Sequence, residues 1–229
     1  MEQLHEDLWV ASSQIRFLGL VLDTRMTVVR FGGDLLLHSP IPPTDALRHQ
    51  LADLGRVRWV VAPNSFHHLY LAAWIALGAE PWGVPAVARK RKDIAFTGMV
   101  GGDVPWSSDL QALATRCIPF TDEAVFHHRP SGTLIVSDLL FNLPPTAHWL
   151  TRSAMRLALG YPGVCCTLLE RMLIHRLPGR QDLGRMLEWK ADRIILAHGD
   201  VVESGGVEAL QRAYAWLLRP PALTSPRRS

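Results

Sequence analysis

Short apolar runs alternate along the chain with segments of helical periodicity. Two pairs of runs rich in β-branched residues are separated by glycine-bearing turns, which predicts two β-hairpins: 26–31 with 35–37, and 124–128 with 133–137. Three further runs predict single strands: 58–62, 85–88 and 193–197. The patterns of four other segments predict helices: 44–54 with Thr44 as N-cap, 69–77, 148–190 with breaks at 161–163 and 177–179, and 206–218.

These strands occur both in hairpins and in strand–helix units. A sheet built from both is mixed, and helices must cover its faces. The pattern therefore predicts one α/β domain over residues 1–229. The end of the chain, 219–229, is rich in proline and arginine and is expected to be frayed.

Composition narrows the functional classes. The net charge of +3 is small and the basic residues are spread along the chain, so we expect no nucleic-acid partner. Three cysteines in 229 residues do not make a disulfide framework, which favours a reducing compartment. The acidic start is unlike a signal peptide, and the longest apolar run, 157–169, is interrupted by glycine and proline. We therefore expect a cytoplasmic protein that does not contact a membrane.

Ten histidines against three cysteines raise the question of a metal site. Metal-capable side chains follow three of the predicted strands: His67 and His68 after 59–62, Asp138 after 133–137, and His198 after 193–197. Loops at the carboxyl ends of strands converge in sheets flanked by helices, so the four groups could meet. Three imidazoles and one carboxylate suit one Zn, Fe or Mn ion.

The same strand ends resemble motifs of the metallo-β-lactamase fold superfamily. Residues 194–199 resemble the strand that closes on a metal-binding histidine, 134–141 resemble the motif with a metal-bridging aspartate, and 59–68 lie where a His-x-His-x-Asp-His signature is expected. Three short stretches resemble, more narrowly, a branch of unknown function with a degenerate metal motif: 38–40, 62–64 with His67-His68, and 131–134. Over about residues 20–218 the resemblance implies an αββα four-layer sandwich, with two mixed sheets covered by helices. It also implies metal-dependent hydrolysis of a small molecule by metal-bound water.

The departures from that signature affect the expected metal count. Pro63 and Ser65 fall on the two upstream histidine positions, and neither residue can replace imidazole. The resemblance therefore implies one ion, held by His67, His68, Asp138 and His198. Four protein ligands close a tetrahedral shell, so one of them could be a supporting group, the ion could be five-coordinate, or the site could be structural.

Four other residues are candidates for supporting the ligands by hydrogen bonds: His38, Glu123, His128 and Asp200. Glu123 or Asp200 could also replace the carboxylate that orients water in the family. A second hypothesis is a catalytically silent fold that acts as a binding or interaction module, which the replacements at Pro63 and Ser65 favour. A geometric test applies to the metal hypothesis: the ligand atoms must lie within about 5 Å of a common point.

Overall fold

A computed structural model describes residues 1–17, 19–106, 109–118 and 121–218. It contains two main β-sheets. The first has seven strands that follow one another in chain order across the sheet: β1 (Glu2–His5), β2 (Leu8–Phe17), β3 (Leu20–Phe31), β4 (Asp34–His38), β5 (Arg56–Ala62), β6 (Glu80–Gly83) and β7 (Gly98–Met99). Neighbours from β1 to β4 are antiparallel, and those from β4 to β7 are parallel. This sheet is therefore mixed, as the sequence predicted.

The second sheet has four strands in the spatial order β12, β10, β9, β8, and a short parallel ladder joins β11 to β13. Their bounds are β8 (Leu110–Ala114), β9 (Ala124–His128), β10 (Thr133–Ile135), β11 (Phe141–Asn142), β12 (Arg193–Ile195) and β13 (His198–Gly199). Only the β10–β12 pairing is parallel in the four-stranded sheet. Parallel pairing places the carboxyl ends of β10 and β12 at one edge, which is where the candidate site lies.

Helices fill the connections between strands. They are α1 (Asp45–Ala52), α2 (Leu71–Ala76), α3 (Pro85–Lys90), α4 (Trp149–Leu157), α5 (Leu168–Leu173), α6 (Arg176–Glu188), α7 (Gly206–Ala213) and α8 (Ala215–Leu218). Thr44 caps α1 as expected, since its hydroxyl accepts a hydrogen bond from the backbone N–H of Leu47 at 3.3 Å. Within the described residues, no helix is both long and apolar enough to cross a membrane.

The alternation of side chains in the second sheet explains the layers. Ile135 and Ile195 belong to the apolar core shared with the first sheet and with Leu51 of α1. Their neighbours Leu134 and Ile194 point the other way and belong to a second core with residues of α6, α7 and α8. The second sheet is thus buried on both faces. The order helices, sheet, sheet, helices is the predicted αββα sandwich.

Both predicted hairpins are present, and the strands predicted at 58–62 and 193–197 correspond to β5 and β12. The strand predicted at 85–88 is wrong, because Pro85 occupies the first turn of α3, where its missing N–H costs nothing. The break predicted at 177–179 is also wrong, because Pro178 lies in the first turn of α6 for the same reason. The expectation of a frayed end at 219–229 concerns residues outside the described part.

Candidate metal centre

Three of the four predicted ligands meet at one point between the sheets. Nε2 of His67 lies 3.2 Å from Oδ1 of Asp138, and Nε2 of His198 lies 3.1 Å from the same oxygen. One ligand atom from each residue lies within 4.8 Å of the other two. The side chains are largely buried, at 8%, 17% and 7% exposure for His67, Asp138 and His198.

Strand order explains why these residues meet. Asp138 follows β10, and His198 begins β13 just after β12, so both lie at the shared carboxyl edge of this parallel pair. His67 follows β5 of the first sheet. Its loop is joined to the start of β9 by the N–H of Ala124, which donates to the carbonyl of Pro63 at 2.8 Å. Because β9 is antiparallel to β10, its start lies beside the end of β10. Loops from both sheets therefore converge at this edge.

The second ring nitrogen of each histidine is also held. Nδ1 of His198 lies 2.7 Å from the backbone carbonyl of Asp23, and Nδ1 of His67 lies 2.6 Å from Oγ of Ser39. A carbonyl only accepts hydrogen bonds, so Nδ1 of His198 carries a proton. In the neutral ring the lone pair is then on Nε2, which faces Asp138. This is the tautomer that a metal-binding histidine needs.

Asp138 is positioned by a buried polar network. Its Oδ2 accepts a hydrogen bond from Nδ2 of Asn64 at 2.7 Å, and the same amide donates to Glu123 at 3.1 Å. Glu123 also accepts from the backbone N–H of Ser137 at 2.7 Å, of Asp138 at 3.0 Å and of Leu139 at 3.4 Å. Each of these donors to the Glu123 carboxylate is an N–H group, and three of them belong to the turn that carries Asp138, so the carboxylate fixes that turn.

Asn64 has a second function in the loop that carries His67. Its Oδ1 accepts hydrogen bonds from the backbone N–H of Phe66 at 2.8 Å and of His67 at 3.0 Å. This is an Asx-type turn, which replaces backbone pairing where β5 has ended. The single side chain of Asn64 thus connects His67, Asp138 and Glu123.

Burial and charge act in opposite directions on the pKa values of Asp138 and His198, and in the same direction on that of Glu123. Burial alone would raise the pKa of Asp138, but the charge of His67 and the hydrogen bonds from both imidazoles hold it well below its usual range. Burial lowers the pKa of His198, but the hydrogen bond to Asp138 and the charge of that carboxylate outweigh it and raise the pKa. Burial first, and the Asp138 charge second, raise the pKa of Glu123 to about 8.

His68, the fourth predicted ligand, lies outside the group that His67, Asp138 and His198 form. Its Nδ1 lies 3.3 Å from Nη1 of Arg91, whose guanidinium also donates to the His68 carbonyl at 3.2 Å. Consecutive residues of the turn after β5 point in different directions, and His68 faces α3. Burial first, then the charges of Lys90 and Arg91, lower the pKa of His68.

The four residues predicted to support the ligands lie in different environments, and Glu123 is hydrogen-bonded to the turn that carries Asp138. The ring of His38 is buried against Phe126 at 5.2 Å between ring centres, and its Nε2 has no hydrogen-bond partner. Asp200 is exposed, and its backbone pairs with that of Asn142.

His128, the remaining predicted supporting residue, lies away from the cluster. It pairs with Thr133, at the end of β9 opposite to Asp138, and its Nδ1 lies 2.7 Å from Oγ of Ser131. His127, beside it, stacks on Trp189. Neither residue lies at the edge of the sheet where the cluster forms.

The ligand atoms of His67, Asp138 and His198 have an arrangement that fits a metal ion. Two ligands of a tetrahedral zinc with bonds near 2.1 Å lie about 3.4 Å apart. The separations of 3.1 and 3.2 Å are close to that value and longer than charged N–H···O bonds of about 2.7–2.9 Å. Both imidazoles also point at one carboxylate oxygen, an arrangement that a cation between the three ligand atoms would satisfy. Three protein ligands would leave one tetrahedral position open, which removes the objection that four ligands close the shell.

Sequence reasoning did not assign a function to Ser39, Asn64 and the carbonyl of Asp23. Ser39 follows β4 directly and Asn64 follows β5 after Pro63, so their place at strand ends was a usable signal. Ser39 also has a left-handed backbone, with φ of 55°. A backbone carbonyl in the middle of β3 gives no signal in a sequence.

A pocket of about 360 Å³ adjoins His198. Its walls come from β2, β3, the loop 143–148 and the first turn of α4, and they include Gln14, Asp23, His148 and Thr151. No lysine or arginine is among its lining residues. A volume of this size accommodates a small organic molecule.

Comparisons with known proteins agree with this architecture. No family model matches the chain, and no curated protein matches its sequence. Solved structures do match its fold. One is DIM-1 metallo-β-lactamase, with TM-score 0.68, 13% identity, and coverage of 94% of this chain and 95% of that one. Another is a metallo-β-lactamase from Hirschia baltica, with TM-score 0.66, 13% identity, and coverage of 95% and 96%.

A third similar structure is FIM-1 from Pseudomonas aeruginosa, solved in a mono-zinc form, with TM-score 0.63, 13% identity, and coverage of 96% of both chains. At this identity the likeness concerns the fold and not the activity. The similarity extends over nearly the whole length of each chain. The chain has the metallo-β-lactamase fold.

Proposed function

We propose that the chain binds one divalent cation through His67, Asp138 and His198 and acts as a metal-dependent hydrolase. The convergence of two Nε2 atoms on one carboxylate oxygen, with each Nδ1 already held, carries this proposal. Zinc is the expected ion, with iron or manganese as alternatives for a donor set of nitrogen and oxygen. A single ion is proposed because the described residues contain no second group of three metal-capable side chains.

The chain's own residues would each have a defined part. His67 and His198 supply neutral imidazole, Asp138 supplies charge, and the Asn64–Glu123 network keeps that charge in place. A bound ion would lower the pKa of water towards about 7 and polarise a carbonyl or phosphoryl oxygen. The pocket beside His198 would hold the rest of the substrate. Its lining offers neutral polar groups and Asp23, so a small neutral or cationic molecule suits it better than an anion.

Metal content is the first test. We expect about one equivalent of zinc, iron or manganese per purified chain by mass spectrometry, and a loss of at least about tenfold in Asp138→Asn and His198→Ala. His49→Ala is the matched control, because His49 is exposed on α1, far from the cluster in sequence, and should retain the ion. A wild-type chain that neither carries nor acquires any of these ions would overturn the proposal.

Turnover is the second test. A panel of ester, thioester, phosphoester, amide and β-lactam substrates would be assayed with the metal-loaded protein and after chelation. We expect hydrolysis of at least one class, lost on chelation, restored by metal and absent in Asp138→Asn. Turnover that persists in the chelated protein and in Asp138→Asn would contradict the metal-dependent mechanism.

A non-enzymatic binding module is the second candidate. The observation that favours it is the absence of imidazole at Pro63 and Ser65, the two positions where the resemblance places upstream histidines. Stoichiometric metal with no turnover on any substrate would favour this second function over hydrolysis.

A further inference from the structure

Exposed apolar side chains are concentrated in one segment of the chain. Of twelve exposed large apolar residues in the described part of the chain, nine lie between residues 149 and 177. We call these nine the apolar face: Trp149, Leu150, Leu157, Leu159, Leu168, Leu169, Met172, Leu173 and Leu177. Several of them protrude fully, with exposures of 84% for Leu157, 73% for Met172 and 68% for Leu177. Scattered exposed leucines are ordinary, but a cluster of this size indicates a contact surface.

Helix α5 shows that the face is not packed against the rest of the chain. Four of its six residues are Leu168, Leu169, Met172 and Leu173, and none of its residues is buried. A helix of this composition gains little stability in water unless its apolar side is covered. The backbone N–H of Leu168 donates to the carbonyl of Ala158, so the start of α5 adjoins the end of α4, where Leu157 and Leu159 are exposed.

The charges around the face have one sign. Arg156 on α4 and Arg176 at the start of α6 are exposed, whereas Arg152 donates to the carbonyl of Pro145 and Arg171 to that of Cys166. None of the four forms an ion pair within the described residues. Glu170 is the only acidic residue between 149 and 177, and it is engaged in the capping box of Thr167. The partner of this face should therefore be both apolar and anionic.

We propose that the apolar face docks the protein onto an anionic lipid membrane, as a peripheral contact. Protruding leucines, methionine and tryptophan beside exposed arginines that form no ion pair are the composition of segments that lie in a bilayer interface. There, apolar side chains enter the acyl region and arginines meet the headgroups. This inference does not depend on metal binding. It departs from the sequence-based expectation of no membrane contact, which was based on the lack of a spanning segment and did not consider a surface helix.

The positive charge beside the apolar face disfavours two other partners, the end of this chain and a second copy of it. The chain beyond residue 218 contains three arginines and no acidic residue, so its sequence is not complementary to the arginines of the face. A second copy packed through the same face would bring the same four arginines together without compensating carboxylates. An anionic lipid surface supplies both the negative charge and a surface that accepts protruding side chains without a matching groove.

The position of the face has a functional consequence. The first turn of α4 contributes Trp149 and Leu150 to the face and Thr151 to the wall of the pocket beside His198. Docking through the face would therefore bring the mouth of that pocket close to the membrane surface.

Vesicle sedimentation tests the proposal with the full-length chain. We expect binding to vesicles of equal parts phosphatidylcholine and phosphatidylserine, at least about tenfold weaker binding to pure phosphatidylcholine, and a decline with added salt. The double variant Leu157→Gln/Met172→Gln should bind at least about tenfold more weakly, since each side chain loses its apolar burial. Arg156→Gln/Arg176→Gln should also weaken binding, by about fivefold for each arginine.

Two control variants make the outcome specific. Leu77→Gln changes an exposed leucine outside the face, and Lys92→Gln removes an exposed positive charge outside it, so both should bind like wild type. No binding by wild type to the anionic vesicles, equal binding to neutral vesicles, or unchanged binding by the Leu157/Met172 variant would each overturn the proposal. So would a wild-type dimer in sedimentation velocity that dissociates in the Leu157/Met172 variant, because the face would then be an interface between copies.

Discussion

His198 lies between two hydrogen-bond acceptors: its Nε2 is 3.1 Å from Oδ1 of Asp138, and its Nδ1 is 2.7 Å from the carbonyl oxygen of Asp23. A neutral imidazole has one N–H and can satisfy only one of them. The ring therefore either takes a second proton or shares its Nε2 lone pair with a cation held by Asp138. The raised pKa of His198 reflects the first state, and the proposed ion would produce the second.

Competition between proton and metal makes the proposed binding pH-dependent. Because the pKa of His198 is raised by its hydrogen bond to Asp138 despite burial, a protonated fraction persists above the usual range of histidine. The metal must displace that proton, so affinity should increase as pH rises through the pKa of His198. Calorimetric titration with zinc in buffers of different ionisation enthalpy should show that zinc binding releases protons, and that this release declines as pH rises. A heat of binding that does not depend on the buffer would contradict this.

His38 should make the folded chain less stable in acid. Burial, and secondarily the charge of His67, lower the pKa of His38 to about 3, whereas the unfolded chain has a value near 6.5. Between these values the unfolded state binds a proton that the folded state does not, so the free energy of unfolding decreases as pH falls from about 6.5 to about 3. In His38→Gln the dependence should be flatter by up to about 1.4 kcal/mol per pH unit. Urea unfolding at several pH values measures it, and parallel curves for both proteins would contradict the assignment.

Ser39 should affect the centre through His67. Its hydroxyl lies 2.6 Å from Nδ1 of His67, and its φ of 55° is in the left-handed region. Ser39→Ala and Ser39→Gly both remove the hydrogen bond, so both should weaken metal binding by about 10- to 100-fold. Glycine also relieves the left-handed backbone, so Ser39→Gly should be more stable than Ser39→Ala by about 1 kcal/mol. Competition with a zinc indicator and thermal unfolding separate the two effects.

Glu123→Gln should weaken the hydrogen-bond network around Asp138, although glutamine has the same shape as glutamate. The donors to the Glu123 carboxylate are N–H groups of Asn64, Ser137 and Asp138, so an amide NH₂ at either oxygen position would face another donor. We expect a loss of about 1–3 kcal/mol in the free energy of unfolding and weaker metal binding, because the Asp138 turn loses its anchor. Glu6→Gln, at an exposed position, is the control and should change neither. Wild-type stability in Glu123→Gln would show that the network does not hold the turn.

The parts of the fold that the sequence predicted were those in which local pattern and tertiary environment agree. The hairpin of β3 and β4, the Thr44 cap of α1 and the buried run of β5 follow from β-branching, capping and turn chemistry. Pro85 and Pro178 misled the prediction because proline both breaks helices and begins them, and only the residues that follow decide between these functions.

The site was predictable only as far as strand ends determine it. Asp138 and His198 follow adjacent parallel strands, so their meeting follows from topology. The sequence does not show which of His67 and His68 joins the cluster. In the structure, the contact of His68 with Arg91 distinguishes the two. The contact between His68 and Arg91 joins residues 23 positions apart and depends on the course of α3. It therefore leaves no periodic signal in the sequence. The same holds for Asn64, whose partners Glu123 and Asp138 come from the other sheet.

Gly199 should link backbone geometry to metal binding. It has φ of 97°, and a Cβ there would collide with the backbone of Asn142 and Leu143, across the ladder of β11 and β13. Gly132, with φ of 58° and nothing within 4 Å of its Cβ position, has the conformational constraint without the collision. Gly132→Ala should therefore cost about 1–2 kcal/mol of stability and leave metal binding unchanged. Gly199→Ala should cost more and weaken metal binding at least about tenfold, since β13 must move and carries His198 with it. Denaturation and zinc titration of both variants measure this, and equal effects of the two alanines on metal binding would contradict it.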